Sequence, residues 1–272
     1  MKSEEGRLGI DIPTLVAIST MAWILVNVSH EIMGHAGAAA LLGIPVRAVS
    51  TTAASIAGDQ VLSIGAYRTI MAAGTIMNMV GGAGALILLR VQKQANSAKR
   101  YFLWLFATFS FVIVAMNLVS VMLIDAGDWT EVSRALEPGR LWKAIIIGAG
   151  VIIAIFGFIM PLRLWMPDLR DNRRAQFTIT VIPVVTLIVV QSLSLIGSPL
   201  ARLPSGADHW LACLFAYIHF IAWAILVNAL RIPRSEDPAE SLRLPRSYGW
   251  LVVALVVAVF YVAVLGAGIG SA

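Results

Sequence analysis

The chain has 272 residues, 59% of them hydrophobic and only 13% charged, with a mean hydropathy of +0.84. A soluble domain of this size needs far more charge on its surface, so these values describe a polytopic membrane protein. The net charge of +5 does not point to nucleic acid, because the basic residues fall in short loops between apolar segments, the pattern that orients membrane proteins.

Residues 1–12 read as a short polar lead, with Asp11 placed to cap a helix that has Pro13 in its first turn. No cleavable signal peptide is evident, because the first apolar segment carries the chemistry and is expected to stay. It runs from about Pro13 to Leu42, roughly 45 Å of helix and longer than the roughly 30 Å hydrocarbon core. Within it lies Ser29-His30-Glu31-Ile32-Met33-Gly34-His35. Two imidazoles and a carboxylate are costly at membrane depth, and such groups are by default functional. They fit zinc, with His30 and His35 as ligands and Glu31 as general base for a metal-bound water.

A regular helix does not bring the two histidines together. The usual zincin spacing is i and i+4, whereas here it is i and i+5, about 140° round the helix. A π-bulge or early unwinding between Ile32 and His35, eased by Gly34, is therefore expected, with the imidazoles converging on an aspartate.

Residues 43–67 are β-branched and small, with Gly58-Asp59 as turn material, and predict a short hairpin or re-entrant loop. The second span, about Arg68 to Val91, is glycine-rich and carries Asn78. The third runs from Tyr101 to Ile124 with Asn117 inside it, followed by the acidic stretch Asp125 to Glu131. Further spans are expected at about Leu141 to Trp165, Phe177 to Leu200, Trp210 to Leu230 and Tyr248 to Gly268. The fold class is thus all-α polytopic membrane protein, with about seven transmembrane helices and a hairpin after the first. Residues 13–128 form the metal-site core, and 129–272 a four-span region of unknown role. The single Cys213 sits in an apolar run, which excludes a disulfide framework.

Fourteen of the twenty Lys and Arg residues fall at the start of the chain and in the loops after spans two, four and six. That places the N-terminus in the cytoplasm and, with seven spans, the C-terminus outside, as in a plasma (inner) membrane protein. His30, His35, Asn78 and the Asp125/Asp128 pair then share one outer depth. Either aspartate would complete a zinc site. Against that stand a capping box at Asp128-Trp129-Thr130-Glu131 and a solvated helix end at Asp125. His209 is a weaker candidate ligand, His219 reads as a packed core histidine, and Asn117 as an interhelical hydrogen-bonding group.

The order of these elements resembles the site-2 protease group of intramembrane zinc metalloproteases. There a His-Glu-x-x-His helix is followed by Gly-Pro-x-x-Asn and then by Asn-x-x-Pro-x-x-x-Leu-Asp-Gly. Here Gly74-Thr75-Ile76-Met77-Asn78 matches the second element with Thr for Pro. Asn117 to Asp125 keeps the third spacing, with Ser120, Ile124 and Ala126 in place of Pro, Leu and Gly. The His-Glu-x-x-x-His spacing itself is similar to that of the dipeptidyl peptidase III family. The resemblance covers residues 30–128 and implies His30, His35 and one Asp as zinc ligands. It implies Glu31 as base, Asn78 as a polar group near the substrate, and a membrane protein or peptide as substrate. An extended substrate would add to the hairpin as a strand. The alternatives are a non-catalytic relative that binds or chaperones membrane partners, and a transporter.

Overall fold

Asp11 caps the first helix as its place before Pro13 dictates, its side chain accepting from the Thr14 amide at 3.0 Å. The structure is a computed structural model that describes residues 9–56, 62–92, 98–134, 136–165, 173–198, 206–230 and 243–270. Helix α1 (Ile12–Val28) runs into a π-helical stretch, Ser29–Ala36, and regains α geometry in α2 (Gly37–Leu41). The strands β1 (Val46–Val49) and β2 (Ala54–Ile56) follow and pair antiparallel as a hairpin. Its turn lies at Ser50–Ala53, where the Ser50 amide donates to the Ala53 carbonyl at 2.8 Å. Gly58 and Asp59 lie outside the described residues.

Helix α3 (Ile64–Val91) is capped by Ser63, and α4 (Ala98–Met116) ends in a second π-helical stretch, Asn117–Val121. The short α5 (Gly127–Ser133) precedes α6 (Gly139–Trp165), α7 (Arg173–Gly197) and α8 (Gly206–Ala229). Helix α9 (Tyr248–Phe260) continues as π-helix to Leu265. A third strand, β3 (Ile269–Gly270), pairs antiparallel with β1, so β1 is the central strand in the order β2-β1-β3. The sequence shows no sign of β3, because two residues carry no readable alternation.

Among the described residues, six helices are long and apolar enough to cross a membrane. They are Ile12–Leu41, Ile64–Val91, Ala98–Val121, Gly139–Leu164, Arg173–Ile196 and Tyr248–Leu265. The protein is therefore a helical, membrane-integral one. Helix α8 holds a shorter apolar run, Cys213–Ala229.

The core sits where α1 and α4 meet α7 and α8. Trp23 packs edge-on against Phe220 at 5.6 Å and Phe109 at 6.3 Å. Polar side chains there bond across helices: the Trp23 Nε1–H and the Tyr261 hydroxyl both donate to Gln191 Oε1, at 3.1 and 2.7 Å. In lipid the hydrophobic effect does not press helices together, so packing and such hydrogen bonds fix their positions. That fixed frame holds α1, and with it the histidine-bearing π-stretch.

Candidate metal centre

Three ligand atoms converge, one each from His30, His35 and Asp128, all within 4.8 Å of one another. The local cause is the π-helix over Ser29–Ala36. A π turn takes about one more residue than an α turn, so histidines five apart come to one face. Their rings stand edge to face at 4.8 Å. The expected distortion is present, but Gly34 serves it differently. Gly37 and Ala36 around it have ordinary right-handed helical geometry. Gly34 is instead the point of closest approach to α3, where a Cβ would lie 2.5 Å from the Cα of Gly74.

Asp128 arrives by a chain reversal. After the second π-stretch the backbone turns through Asp125 (φ 56°) and Gly127 (φ 70°), both in the left-handed region. Glycine is needed at 127 on two counts, since a Cβ there would also meet Val121 Cγ1 at 2.5 Å. Helix α5 then folds back on α3. Trp129 Nε1–H donates to Thr75 Oγ1 at 2.9 Å, and Tyr67 donates its hydroxyl proton to Glu131 Oε2 at 3.1 Å. Arg68 adds a bond to the Arg134 carbonyl at 2.7 Å. These contacts hold Asp128, in the first turn of α5, over the histidines.

Three sequence readings are corrected here. Asp128 opens no capping box: the N-cap of α5 is Ala126, with no side-chain cap bond, and Glu131 is occupied by Tyr67 and Arg134. Asp125, offered with Asp128 as the third ligand, sits in the turn before α5 rather than on that helix. Asp125 is exposed and pairs with Lys143 at 2.7 Å, so it is not among the converging groups. Asn117 bonds within its own helix, to the Ile113 carbonyl at 3.2 Å, rather than across helices. His219 is a packed histidine, bonded to Ser120 Oγ at 2.9 Å and the Phe215 carbonyl at 2.7 Å. The side chain of His209 lies outside the described residues.

The hydrogen bonds around the rings decide what the site can hold. His35 Nδ1 lies 2.7 Å from the Ile70 carbonyl, which can only accept, so Nδ1 carries the proton. In a neutral ring Nε2 is then a bare acceptor, and it faces Asp128 Oδ2 at 3.3 Å. His30 Nε2 faces the same oxygen at 3.1 Å. An acceptor against a carboxylate is repulsive unless a metal ion stands between them or a proton sits on Nε2. These two nitrogen–oxygen separations are close to the edge of a tetrahedron with metal bonds of about 2.0–2.1 Å, roughly 3.3 Å. Burial works to raise the Asp128 carboxyl, yet with protons on the two Nε2 atoms the histidines' hydrogen bonds and charge outweigh it and hold it well below the usual carboxylate range.

Gly74 leaves the space for such an ion, since a Cβ there would stand 2.6 Å from His35 Nε2 and 2.7 Å from His30 Nε2. Asn78 is fully buried beside His30, its amide 3.3 Å from Nδ1. With Nδ2 towards the ring, Asn78 Oδ1 is a buried atom without a partner among the described residues. With the amide turned over, Oδ1 accepts from Nδ1–H and His30 presents a bare Nε2 to a metal, as a ligand histidine requires. Glu31, next to His30 and half-buried, lies within electrostatic reach of His35, Cys213 and Tyr261. Sequence reasoning missed the docking residues Tyr67, Thr75 and Trp129. Thr75 stands inside the Gly74–Asn78 element and Trp129 next to Asp128, and only that proximity marked them.

The chain matches no family model, no curated protein and no solved structure.

Proposed function

We propose that the protein is a membrane-embedded zinc metallopeptidase that cleaves peptide bonds of membrane or membrane-proximal substrates. The observation that carries this reading is the convergence of His30 Nε2 and His35 Nε2 on one Asp128 oxygen, with the other nitrogen of His35 committed to the Ile70 carbonyl. Two neutral histidines and an ionised Asp128 would leave a fourth position open, the arrangement of catalytic rather than structural zinc. When bound, zinc supplies Lewis acidity and a water acidic enough to ionise near neutral pH. Glu31 takes the proton from the attacking water and delivers it to the leaving amine. Asn78 and the Ile70 carbonyl keep the two rings in the ligating tautomer.

Because β1 is flanked on both sides, an extended substrate adds to the sheet at the outer edge of β2 rather than at β1. Helix α8 completes a seventh span. The basic loops place the N-terminus in the cytoplasm and the metal centre towards the outer face of an inner membrane.

A second reading is favoured by the same contacts. A proton on each Nε2 would turn the cluster into an imidazolium–carboxylate network, as suits a non-catalytic relative that binds membrane partners. Metal analysis separates the two. The full chain, purified in detergent and equilibrated with zinc, should hold about one ion per molecule, lose it in His30→Ala and His35→Ala, and hydrolyse an unstructured membrane peptide. Equal, trace zinc in all three proteins would leave the second reading.

A further inference from the structure

The ends of three spans frame a groove of about 480 Å³ at the far end of α3 from the metal centre. From Gly74 to Gln92 the helix rises roughly 27 Å, nearly the full hydrocarbon thickness, so the groove opens at the opposite membrane face. That is the face towards which the basic loops point. Leu88, Val91 and Gln92 of α3, Lys99 and Phe102 of α4, and Trp250 of α9 line it. Phe102 and Trp250, their rings tilted at 36° and 5.4 Å apart, form its wall. Val91, 71% exposed, leaves it open to the surrounding lipid.

Two polar features stand at this apolar groove. Arg100 is committed, donating to the carbonyls of Leu89, Gln92 and Leu164 and so tying α3, α4 and α6 together. Lys99 beside it is exposed and forms no ion pair with a carboxylate among the described residues. Gln92 carries a buried Oε1 with no partner among them. An apolar slot with a cation and a hydrogen-bond acceptor at its mouth fits a molecule with a hydrocarbon chain, a negative charge and a hydroxyl donor. The Trp at this level matches the aromatic belt of membrane interfaces.

We propose that the groove binds one anionic phospholipid, its acyl chain along Leu88, Val91 and Phe102 and its phosphate on Lys99. A head-group hydroxyl donates to Gln92 Oε1. A zwitterionic lipid fits the apolar wall equally well but gains no net attraction at Lys99, because its own cation opposes it. One lysine near a lipid surface supplies about a fivefold preference.

The test uses the full chain in phosphatidylcholine vesicles carrying a minor fraction of phosphatidylglycerol with brominated chains, or the same fraction of brominated phosphatidylcholine. Subtracting the signal of Trp250→Phe isolates the quenching of Trp250. Phosphatidylglycerol should quench at about one-fifth the concentration that phosphatidylcholine requires, and Lys99→Glu should erase the difference. Equal quenching by the two lipids, or a difference that survives Lys99→Glu, would overturn the proposal. If Trp250→Phe fails to fold, mass spectrometry of the detergent-purified protein decides. Phosphatidylglycerol retained by the native chain and lost from Lys99→Glu supports the site, and retention by both removes it.

Discussion

Gly34 and Gly74 meet backbone to backbone, and the crossing they permit brings α3 against the π-helical stretch that carries both histidines. The two glycines do different things. Gly34 faces main chain that cannot give way, so Gly34→Ala should separate the helices and destabilise by about 1–3 kcal/mol. Gly74 faces the two ligating nitrogens. Gly74→Ala should fold, as judged by its helical circular dichroism and elution volume, yet bind no zinc. Full zinc occupancy in Gly74→Ala would show that the ion sits elsewhere.

Asn78 lies on His30, and its substitution separates a positioning role from contact with substrate. Asn78→Leu removes the acceptor for Nδ1–H and should weaken zinc affinity roughly 10–100-fold, the usual cost of losing an outer-shell partner. Asn78→Asp keeps an acceptor and should retain most of that affinity. A competition titration against a chelator measures both. If Asn78→Leu binds zinc normally but raises KM for the peptide, Asn78 touches substrate instead.

The two aspartates give the sharpest contrast. Asp128→Asn replaces the converging carboxylate and should lose zinc. Asp125→Asn breaks only an exposed pair with Lys143, worth at most about 1 kcal/mol, and should keep it. The reverse outcome would mean that the turn at Asp125 and Gly127 is drawn the wrong way round.

Spans, caps and the distortion at His35 were legible because each rests on local chemistry. Apolar runs marked the helices, Asp11 before Pro13 marked a cap, and a five-residue histidine spacing demanded a wider turn. The choice between Asp125 and Asp128 was not legible. It depends on two left-handed residues either side of Ala126, one of them a non-glycine, and on Trp129 finding Thr75 across 54 residues of chain. Asn117 was misjudged for the same reason: a buried amide satisfies itself on its own helix as readily as on a neighbour, and sequence does not say which. The strand β3 was invisible, because its partner β1 lies over two hundred residues earlier.

Orientation is open to a direct check. Among the loops, the one after the fourth span carries Arg163, Arg170, Arg173 and Arg174, and the hairpin region carries only Arg47 and Arg68. A reporter fused after Arg170 should be active in the cytoplasm, and one placed after Asp59 should be active outside. Both insertion points lie outside the described residues. Opposite activities would move the metal centre to the cytoplasmic side.

Glu31 tests the chemistry itself. It neighbours His30 but is not one of the three converging groups, so it should be dispensable for the ion and indispensable for proton transfer. Glu31→Gln keeps the size and polarity of the side chain while removing the base. Zinc content should stay at the native level, and kcat should fall by roughly 10²–10⁴, the range of a general base. KM should change little, because the proposed substrate contacts, the sheet edge and the ion, do not include this carboxylate. Loss of zinc in Glu31→Gln would make Glu31 a ligand. Unchanged zinc together with unchanged turnover would mean that another group moves the proton, and the peptidase mechanism drawn here would have to be abandoned.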